Sequence, residues 1–523
     1  MEKTNEKKVL ILSAIAVVTL IAVVVGATYA FFTAQGGGSG NTNLNVGSST
    51  TDSLSFNAGS AINLNITQDN FAQGSGNQSG STTASATLTA NNATNSATAH
   101  YYLYLNILSN TLEYTTEAQT AELILTIKDP NGSPVTELSG YNYVTVGEVS
   151  GFDITTKDGL ITLADNYEIT STGTQTQEWE ITVTFINLNT DQNDNTGKSF
   201  SANLIIQEDM IPTNLSDVCH DGGNMAECII ALYNAREEGE NGLYYHDGSG
   251  SYTNADQEAG DNSYRFAGAN PNNFVCFGSN DTTCSNDNLY RIIGVFDGQV
   301  KLIKYDYTTT EMTGSDGSYY KQYGPSSGNY KGSLDPYSTL AGYYWNSVVG
   351  QNIGAWSRSN LNTVNLNTNY INYLGSEWTD KIATTTWQVG GISSTIVKNN
   401  SVKTVYNYEI GNNLSNTTYN AKIGLIYISD YGYAAGPENW IINLGPYNES
   451  NKNNNWMYMG ITEWTISRLS GGSTSAFKVS FYGYVDSSLV YSSWLGIRPA
   501  FYLNENVEFS SGSGTQSDPY RIV

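Results

Sequence analysis

Histidine, positive charge and cysteine are all scarce in this chain. Its 523 residues hold three histidines, His100, His220 and His246, in three different regions. A Ser–His–Asp or Cys–His mechanism would have to be built on one of them. No His-Glu-x-x-His occurs, which excludes a zinc-protease helix. Lys and Arg total 23 against 48 Asp and Glu, a formal net charge of -25, and no basic patch follows Lys8. Nucleic acid and anionic lipid both need a positive face to neutralise phosphate, so neither is an expected partner. Charged residues of either sign make up only 14 % of the chain, so Asn, Ser, Thr, Gly and Tyr must cover its surface. Disorder does not follow from that scarcity, because 12 % aromatic residues can bury a large area.

The four cysteines fall into two close pairs, Cys219 with Cys228 and Cys276 with Cys284. In an exported chain such spacing suggests local disulfides. Reduced thiols are an alternative, and so is a metal site using His220 beside Cys219, although metal sites favour closer Cys pairs. Disulfides are the reading adopted, with no metal and no cofactor expected.

What the chain does have begins at its start. Lys3, Lys7 and Lys8 precede an apolar run from Val9 to Gly26, and Ala27-Thr28-Tyr29-Ala30-Phe31-Phe32-Thr33-Ala34 follows. A basic start, an apolar middle and a small-residue exit are the layout of an export signal. Residues 1–35 therefore read as a signal peptide cut near Ala30, or as a retained N-terminal anchor, the one expected contact with membrane. Residues 36–53 are Gly, Ser, Thr and Asn with almost no bulky apolar side chain, a flexible linker.

From 54 to 208 the pattern has period two. Ile62, Leu64 and Ile66 alternate with polar residues, as do Ala84, Ala86, Leu88 and Ala90. The same alternation runs through Tyr101–Ile107, Leu123–Ile127, Trp179–Phe185 and Phe200–Ile206. Half-buried strands separated by turn residues predict a β-sandwich, jelly-roll-like, over 54–208. The Ala27–Ala34 exit, the Asn57-Ala58-Gly59 step before an alternating strand and the closing Gly197-Lys198-Ser199-Phe200 resemble the TasA/camelysin family. The resemblance covers roughly residues 20–207 and implies a secreted β-sandwich protein of Gram-positive bacteria, released by a dedicated signal peptidase. Some members build biofilm fibres by lending an N-terminal strand to a neighbour. The Gly-rich stretch just after the signal departs from the family and argues against strand donation, because Gly weakens a strand.

Met210-Ile211-Pro212 breaks the sandwich, and Met225–Arg236 has helical spacing, so 209–240 is expected as a helical connector. Residues 241–523 differ in texture and hold eight of the nine Trp. Asp297-Gly298 between Leu289–Phe296 and Gln299–Tyr305 is a strong hairpin signal, because a type I′ turn needs positive φ at both central residues. Short helices are expected at 359–371 and 376–383, and late strands at 423–428, 477–482 and 497–503. The motifs Asn272-Asn273-Phe274-Val275, Leu289-Tyr290-Arg291-Ile292-Ile293-Gly294, Trp464-Thr465-Ile466-Ser467-Arg468 and Gly496-Ile497-Arg498-Pro499 resemble one family of bacterial C-terminal domains with no assigned activity. The ending Gly514-Thr515…Pro519-Tyr520-Arg521-Ile522 belongs to the same pattern. Its layout is similar to the C-type-lectin-like fold of formylglycine-generating enzymes and variable phage-type receptor proteins. The fold class expected is mainly β, a sandwich followed by a mixed α+β, C-type-lectin-like domain.

Chemistry is harder to find. Formylglycine-generating activity needs a late Cys pair, and none follows Cys284. Asp191-Gln192-Asn193-Asp194-Asn195 lacks the Gly and Glu of a calcium loop and reads as a turn. Glu409, Asp430, Glu438, Glu463 and Asp486 could supply a glycosidase pair, but nothing selects two of them. Arg468 and Arg498 sit in apolar stretches, where a guanidinium must be paired, and read as structural. Most Trp of a domain are core. Trp440 and Trp456 lie in Gly/Asn-rich loops and are the candidates for stacking on a ligand. Three readings follow: a non-enzymatic surface protein binding a glycan or surface polymer through its C-terminal head, a biofilm-matrix fibre subunit pairing with itself, or a carbohydrate-active enzyme.

Overall fold

The computed structural model describes residues 52–523 apart from 71–73, 91–95, 139, 220–222, 237, 250–256, 325–327, 336–338, 348–353, 412–416, 448 and 472–473. The expected signal, its cut near Ala30 and nearly all of the expected linker lie outside the described residues, as does His220. Two compact units divide the chain, one ending at Met210 and one running from Ile211 to Val523. The chain is mainly β. Among the described residues no helix is long and apolar enough to cross a membrane.

Among the described residues the first unit is a sandwich of ten strands: β1 (Ser53–Asn57), β2 (Ile62–Asn65), β3 (Gln78–Thr89), β4 (Ala97–Asn110), β5 (Leu123–Lys128), β6 (Tyr143–Val146), β7 (Val149–Asp153), β8 (Gly159–Ser171), β9 (Thr174–Phe185) and β10 (Ser199–Gln207). One sheet runs β1-β3-β9-β5-β7-β6 and the other β2-β10-β4-β8. Alternation buries Ala84, Ala86 and Leu88 of one sheet against Leu103, Leu105 and Leu204 of the other in a single core. The Tyr101 hydroxyl ties the sheets. It accepts from Trp179 Nε1 at 2.9 Å and donates to Gln177 Oε1 at 2.8 Å. The Asp191–Asn195 turn has a task no metal is needed to explain. Gln192 Nε2 and Asn195 Nδ2 donate to the buried Glu122 carboxylate at 2.6 and 2.9 Å. Thr115 satisfies the other oxygen, through its backbone N–H at 2.6 Å and its hydroxyl at 2.7 Å.

The second unit is mixed α+β. Its main sheet joins β11 (Leu243–His246), β12 (Ser263–Phe266), β13 (Phe274–Cys276), β14 (Leu289–Phe296) and β15 (Gln299–Lys304) to β20 (Ile423–Gly424) and β25 (Ala500–Tyr502). Asp297 and Gly298 both have positive φ, 47° and 79°, and close the β14–β15 hairpin. A second sheet contains β16 (Tyr319–Gln322), β17 (Ala341–Tyr344) and β24 (Trp494–Leu495). Smaller pairings are β18 (Thr385–Gln388) with β19 (Thr418–Ala421), β21 (Glu463–Arg468) with β22 (Ser475–Val479) and β23 (Val485–Leu489), and β26 (Phe509–Ser511) with β27 (Arg521–Ile522).

The expected short helix over Met225–Arg236 is present, in a connector that belongs to the second unit from Ile211 onward, while three other expectations need correction. Helix Met225–Asn234, capped by Asn224, sinks Met225, Ile229 and Leu232 into the core of the second unit. The strand expected at 423–428 stops at Gly424, and a helix starts at Ile428. Carboxylates capture its first N–H groups: Glu409 accepts from Ile428 and Ser429, both at 2.9 Å, and Asp430 from Tyr427 at 2.9 Å. The strand expected from Ile497 starts at Ala500, because Pro499 has no N–H to give a ladder. The two expected short helices run together as Leu361–Tyr370, with i→i+5 bonding, and Ile371–Thr379, interrupted at Gly375 with φ 77°.

Candidate functional site

Both cysteine pairs are bridged locally, Cys219 to Cys228 and Cys276 to Cys284, with Cα–Cα separations of 5.1 and 5.8 Å. Among the described residues no cysteine is free and no cluster of His, Cys, Asp and Glu could hold a metal. Two disulfides fit an oxidising, extracellular environment.

The motif residues form guanidinium anchors. Arg498 is buried and grips Glu463 with two bonds, Nε to Oε2 at 2.8 Å and Nη2 to Oε1 at 2.6 Å. Nη2 also donates to the Met457 carbonyl at 2.7 Å. Arg291 lies between the Phe274 and Trp456 rings, 4.2 and 4.6 Å from their centroids. It donates to Asn273 Oδ1 at 2.6 Å, Pro271 O at 2.9 Å and Trp456 O at 3.3 Å. The 456–457 turn is thus held by two cations. Arg468 is half-buried and finds one carbonyl, Gly390 O, from Nε at 3.2 Å and Nη2 at 3.1 Å.

Trp440 and Trp456 are not ligand-stacking residues; this expectation is corrected. Their relative exposures are 0 % and 4 %. Trp456 Nε1 donates to Phe266 O at 2.8 Å, and one face carries Arg291. Trp440 Nε1 donates to Ala435 O at 2.8 Å, with Tyr433 and Tyr244 rings against it. A loop rich in Gly and Asn brings backbone carbonyls close, and these satisfy an indole N–H inside the core.

The five candidate carboxylates are already engaged. Glu463 holds Arg498, and Asp430 holds Lys301 at 2.6 Å with both side chains buried. Burial raises the Glu409 carboxyl, against the bonds it accepts from Ser467, Ser429 and Ile428. Glu438 binds the amides of Asn439 and Asn454, and Asp486 pairs with Lys398 at 2.8 Å. Beside Asp430, Arg265 pairs with Asp261 at 2.5 Å. Burial works against the Asp261 carboxylate, but Arg265, the Ser263 hydrogen bonds and His246 together outweigh it and hold the group at about 2.

One Trp of the nine escapes the core. Trp494 is half-exposed on β24 and stacks against Tyr320 of β16, with centroids 5.6 Å apart and planes at 27°. Tyr320 is 47 % exposed and packs on Tyr344 of β17 at 5.1 Å. Tyr323 meets Trp494 edge-on at 5.2 Å. Gly342 makes room: a Cβ there would sit 2.9 Å from the indole. The Lys321 ammonium rests 4.2 Å from the indole centroid, on an exposed residue. The Trp494, Tyr320 and Tyr344 rings and the Lys321 ammonium therefore gather on one face of a small sheet, with Tyr323 at its edge. Such a face can stack the apolar side of a sugar and hydrogen-bond its hydroxyls once Lys321 swings aside. Sequence reasoning missed it because Tyr491-Ser492-Ser493-Trp494 gives only a Trp beside serines, while its partners lie far away at 320 and 344. A scan against family models, a search of curated proteins and a search of solved structures each return no match to this chain.

Proposed function

We propose that this is an exported bacterial protein, surface-displayed or secreted, whose C-terminal unit binds a glycan or neutral surface polymer without turning it over. The observation that carries the reading is the single half-exposed Trp, stacked with an exposed Tyr on the β16-β17-β24 sheet. The two disulfides support export, and the N-terminal segment supplies the signal, with cleavage near Ala30. A net charge of -25 favours a neutral ligand over a polyanion. The likeness of the N-terminal region to the TasA/camelysin proteins and of the C-terminal region to the Gly-x-Arg-Pro domains fits the same setting.

The test is a glycan and wall-polymer panel probed with the mature chain. Trp494→Ala and Tyr320→Ala should each weaken binding by about 2 kcal/mol, roughly thirtyfold, with an unchanged circular dichroism spectrum. Retained binding in both variants, or no binding by the parent chain, overturns the proposal. Product release from a bound glycan would favour an enzyme instead.

A second reading has its own support. β1 is a five-residue strand whose Leu54 and Phe56 pack on the sandwich core, and among the described residues its ladder partner is β3 alone. A strand from a second copy could take that place and build a fibre. Polymerisation of the mature chain that is lost when residues 52–57 are deleted would support this. A chain that stays monomeric at high concentration removes it.

A further inference from the structure

His246 ends β11 inside the second unit and is wholly buried. Its Nδ1 accepts the backbone N–H of Ala259 at 3.1 Å. That bond fixes the neutral tautomer, with the proton on Nε2, because a protonated Nδ1 cannot accept. Among the described residues Nε2 has no hydrogen-bond partner, and the ring lies beside Tyr433 at 4.8 Å and Trp440 at 4.8 Å. An imidazolium here would own two buried N–H groups with no acceptor.

The strap that His246 holds, Gln257–Asp261, leads back into β12. Three further ties fasten it, the first being the ion pair of Asp261 with Arg265 of β12 at 2.5 Å. The Tyr433 hydroxyl donates to Gln257 O at 2.8 Å, and Glu258 Oε2 accepts from Gly248 N at 2.6 Å. The charged surroundings are one-sided where it matters. From β12, Arg265 faces His246 and disfavours a second cation, while Asp261 on the strap opposes it more weakly. From the neighbouring helices come Tyr433 and Tyr406, whose rings lie 4.9 and 5.5 Å from the Arg265 guanidinium. Lys301 and Asp430 neutralise one another on its far side. Glu258 faces two further carboxylates, Asp247 and Glu238.

We infer that the Gln257–Asp261 strap is an acid-released latch: protonation of His246 ends its hold on Ala259, and the strap detaches from the β11–β12 hairpin and from Tyr433. Two shifts support the geometry. Burial, with Arg265 second, drives His246 well below its ordinary 6.5. Burial, with Asp247 adding to it against the Gly248 bond, raises Glu258 above its ordinary 4.5. A fall in pH therefore acts on two of the four ties, those of His246 and Glu258. The sign follows from linkage. A histidine depressed in the folded state costs stability as pH falls below 6.5, because the opened form binds the proton first. A carboxyl raised in the folded state pulls the other way, since the closed form takes up that proton first. Glu258 therefore loosens its own tie but does not drive the opening. The inference is independent of the aromatic face on β16-β17-β24.

Hydrogen exchange of the mature chain at pH 7.5 and pH 5.0, corrected for intrinsic rates, tests this. The peptide containing Ala259 should lose at least tenfold in protection at pH 5.0, while the β14–β15 hairpin keeps its own. His246→Gln retains an acceptor that does not titrate and should keep the strap closed at pH 5.0. Glu258→Gln should still open. Equal protection of the parent strap at both pH values, or opening of His246→Gln as in the parent, overturns the latch. Should His246→Gln fail to fold, imidazole nitrogen shifts of the parent decide. Protonation that coincides with opening supports the latch, and protonation without loss of protection refutes it.

Discussion

The two units solve the problem of buried polarity in opposite ways. The sandwich core is aliphatic and aromatic, and the buried carboxylate of that unit, Glu122, is met by amides and a hydroxyl without a cation. The C-terminal unit buries Arg265, Arg291, Arg498, Lys301 and Lys304, and uses their charge to fasten loops. Regular ladders satisfy most backbone groups of the sandwich, so it needs few anchors. The C-terminal unit has short strands and long irregular segments, whose carbonyls must find donors elsewhere. The guanidinium, with five N–H groups in a fixed fork, supplies several at once.

The sharpest way to break this contrast is Arg498→Met. It leaves the Glu463 carboxylate buried without its cation and frees Met457 O. The C-terminal unit should lose about 3–5 kcal/mol, with the sandwich transition unmoved in a calorimetric scan. Reducing the disulfides comes next. All four cysteines lie between 219 and 284, so reduction should cost the C-terminal unit about 2–4 kcal/mol per bridge and leave the sandwich midpoint where it was. Equal loss in both units would mean that they do not unfold independently.

A third test uses pH. Lys304 is buried, and its ammonium donates to the carbonyls of Asn286 and Asp287 at 3.4 and 3.2 Å. Burial pushes it down to about 8, against the pull of Asp306 and Asp287. Between pH 8 and 10 the unfolded chain holds this proton and the folded one does not, so stability should rise with pH across that window. The gain is on the order of 2 kcal/mol, and Lys304→Met should flatten the slope. The smallest effect belongs to the sandwich. Glu122→Gln keeps the shape but turns two acceptor contacts into donor–donor clashes, and should cost about 1–3 kcal/mol in urea unfolding of that unit alone.

Legibility in sequence follows the same division. Period-two runs mark β2, β3, β4, β5, β9 and β10 because each buries alternate residues. β8 escaped, since bulges against β4 and a left-handed Asn166 break its rhythm. β6 and β7, of four and five residues, are too short to show a period. In the C-terminal unit the Asp297-Gly298 hairpin was readable from two residues. The fate of Trp440 and Trp456 was not, because it depends on carbonyls and cations brought from distant segments. Trp494 failed to stand out for the converse reason: its exposure comes from a Gly342 that lies far upstream.

The bonds of β13 carry a consequence for delivery of the chain. Phe274 N–H donates to Gly514 O and Cys276 N–H to Tyr520 O, at 2.8 and 2.9 Å, and Tyr520 N–H returns to Phe274 O at 2.9 Å. A polypeptide threaded outward from its first residue can finish the sandwich once Gln207 has passed. The second unit must wait, with β13 short of a neighbour, until the segment around Tyr520 arrives. The Cys276–Cys284 bridge spans only a few residues and can close long before that. It would hold the open end of β13 in a tight loop during the wait, when exposed strand edges are most prone to pair with the wrong chain.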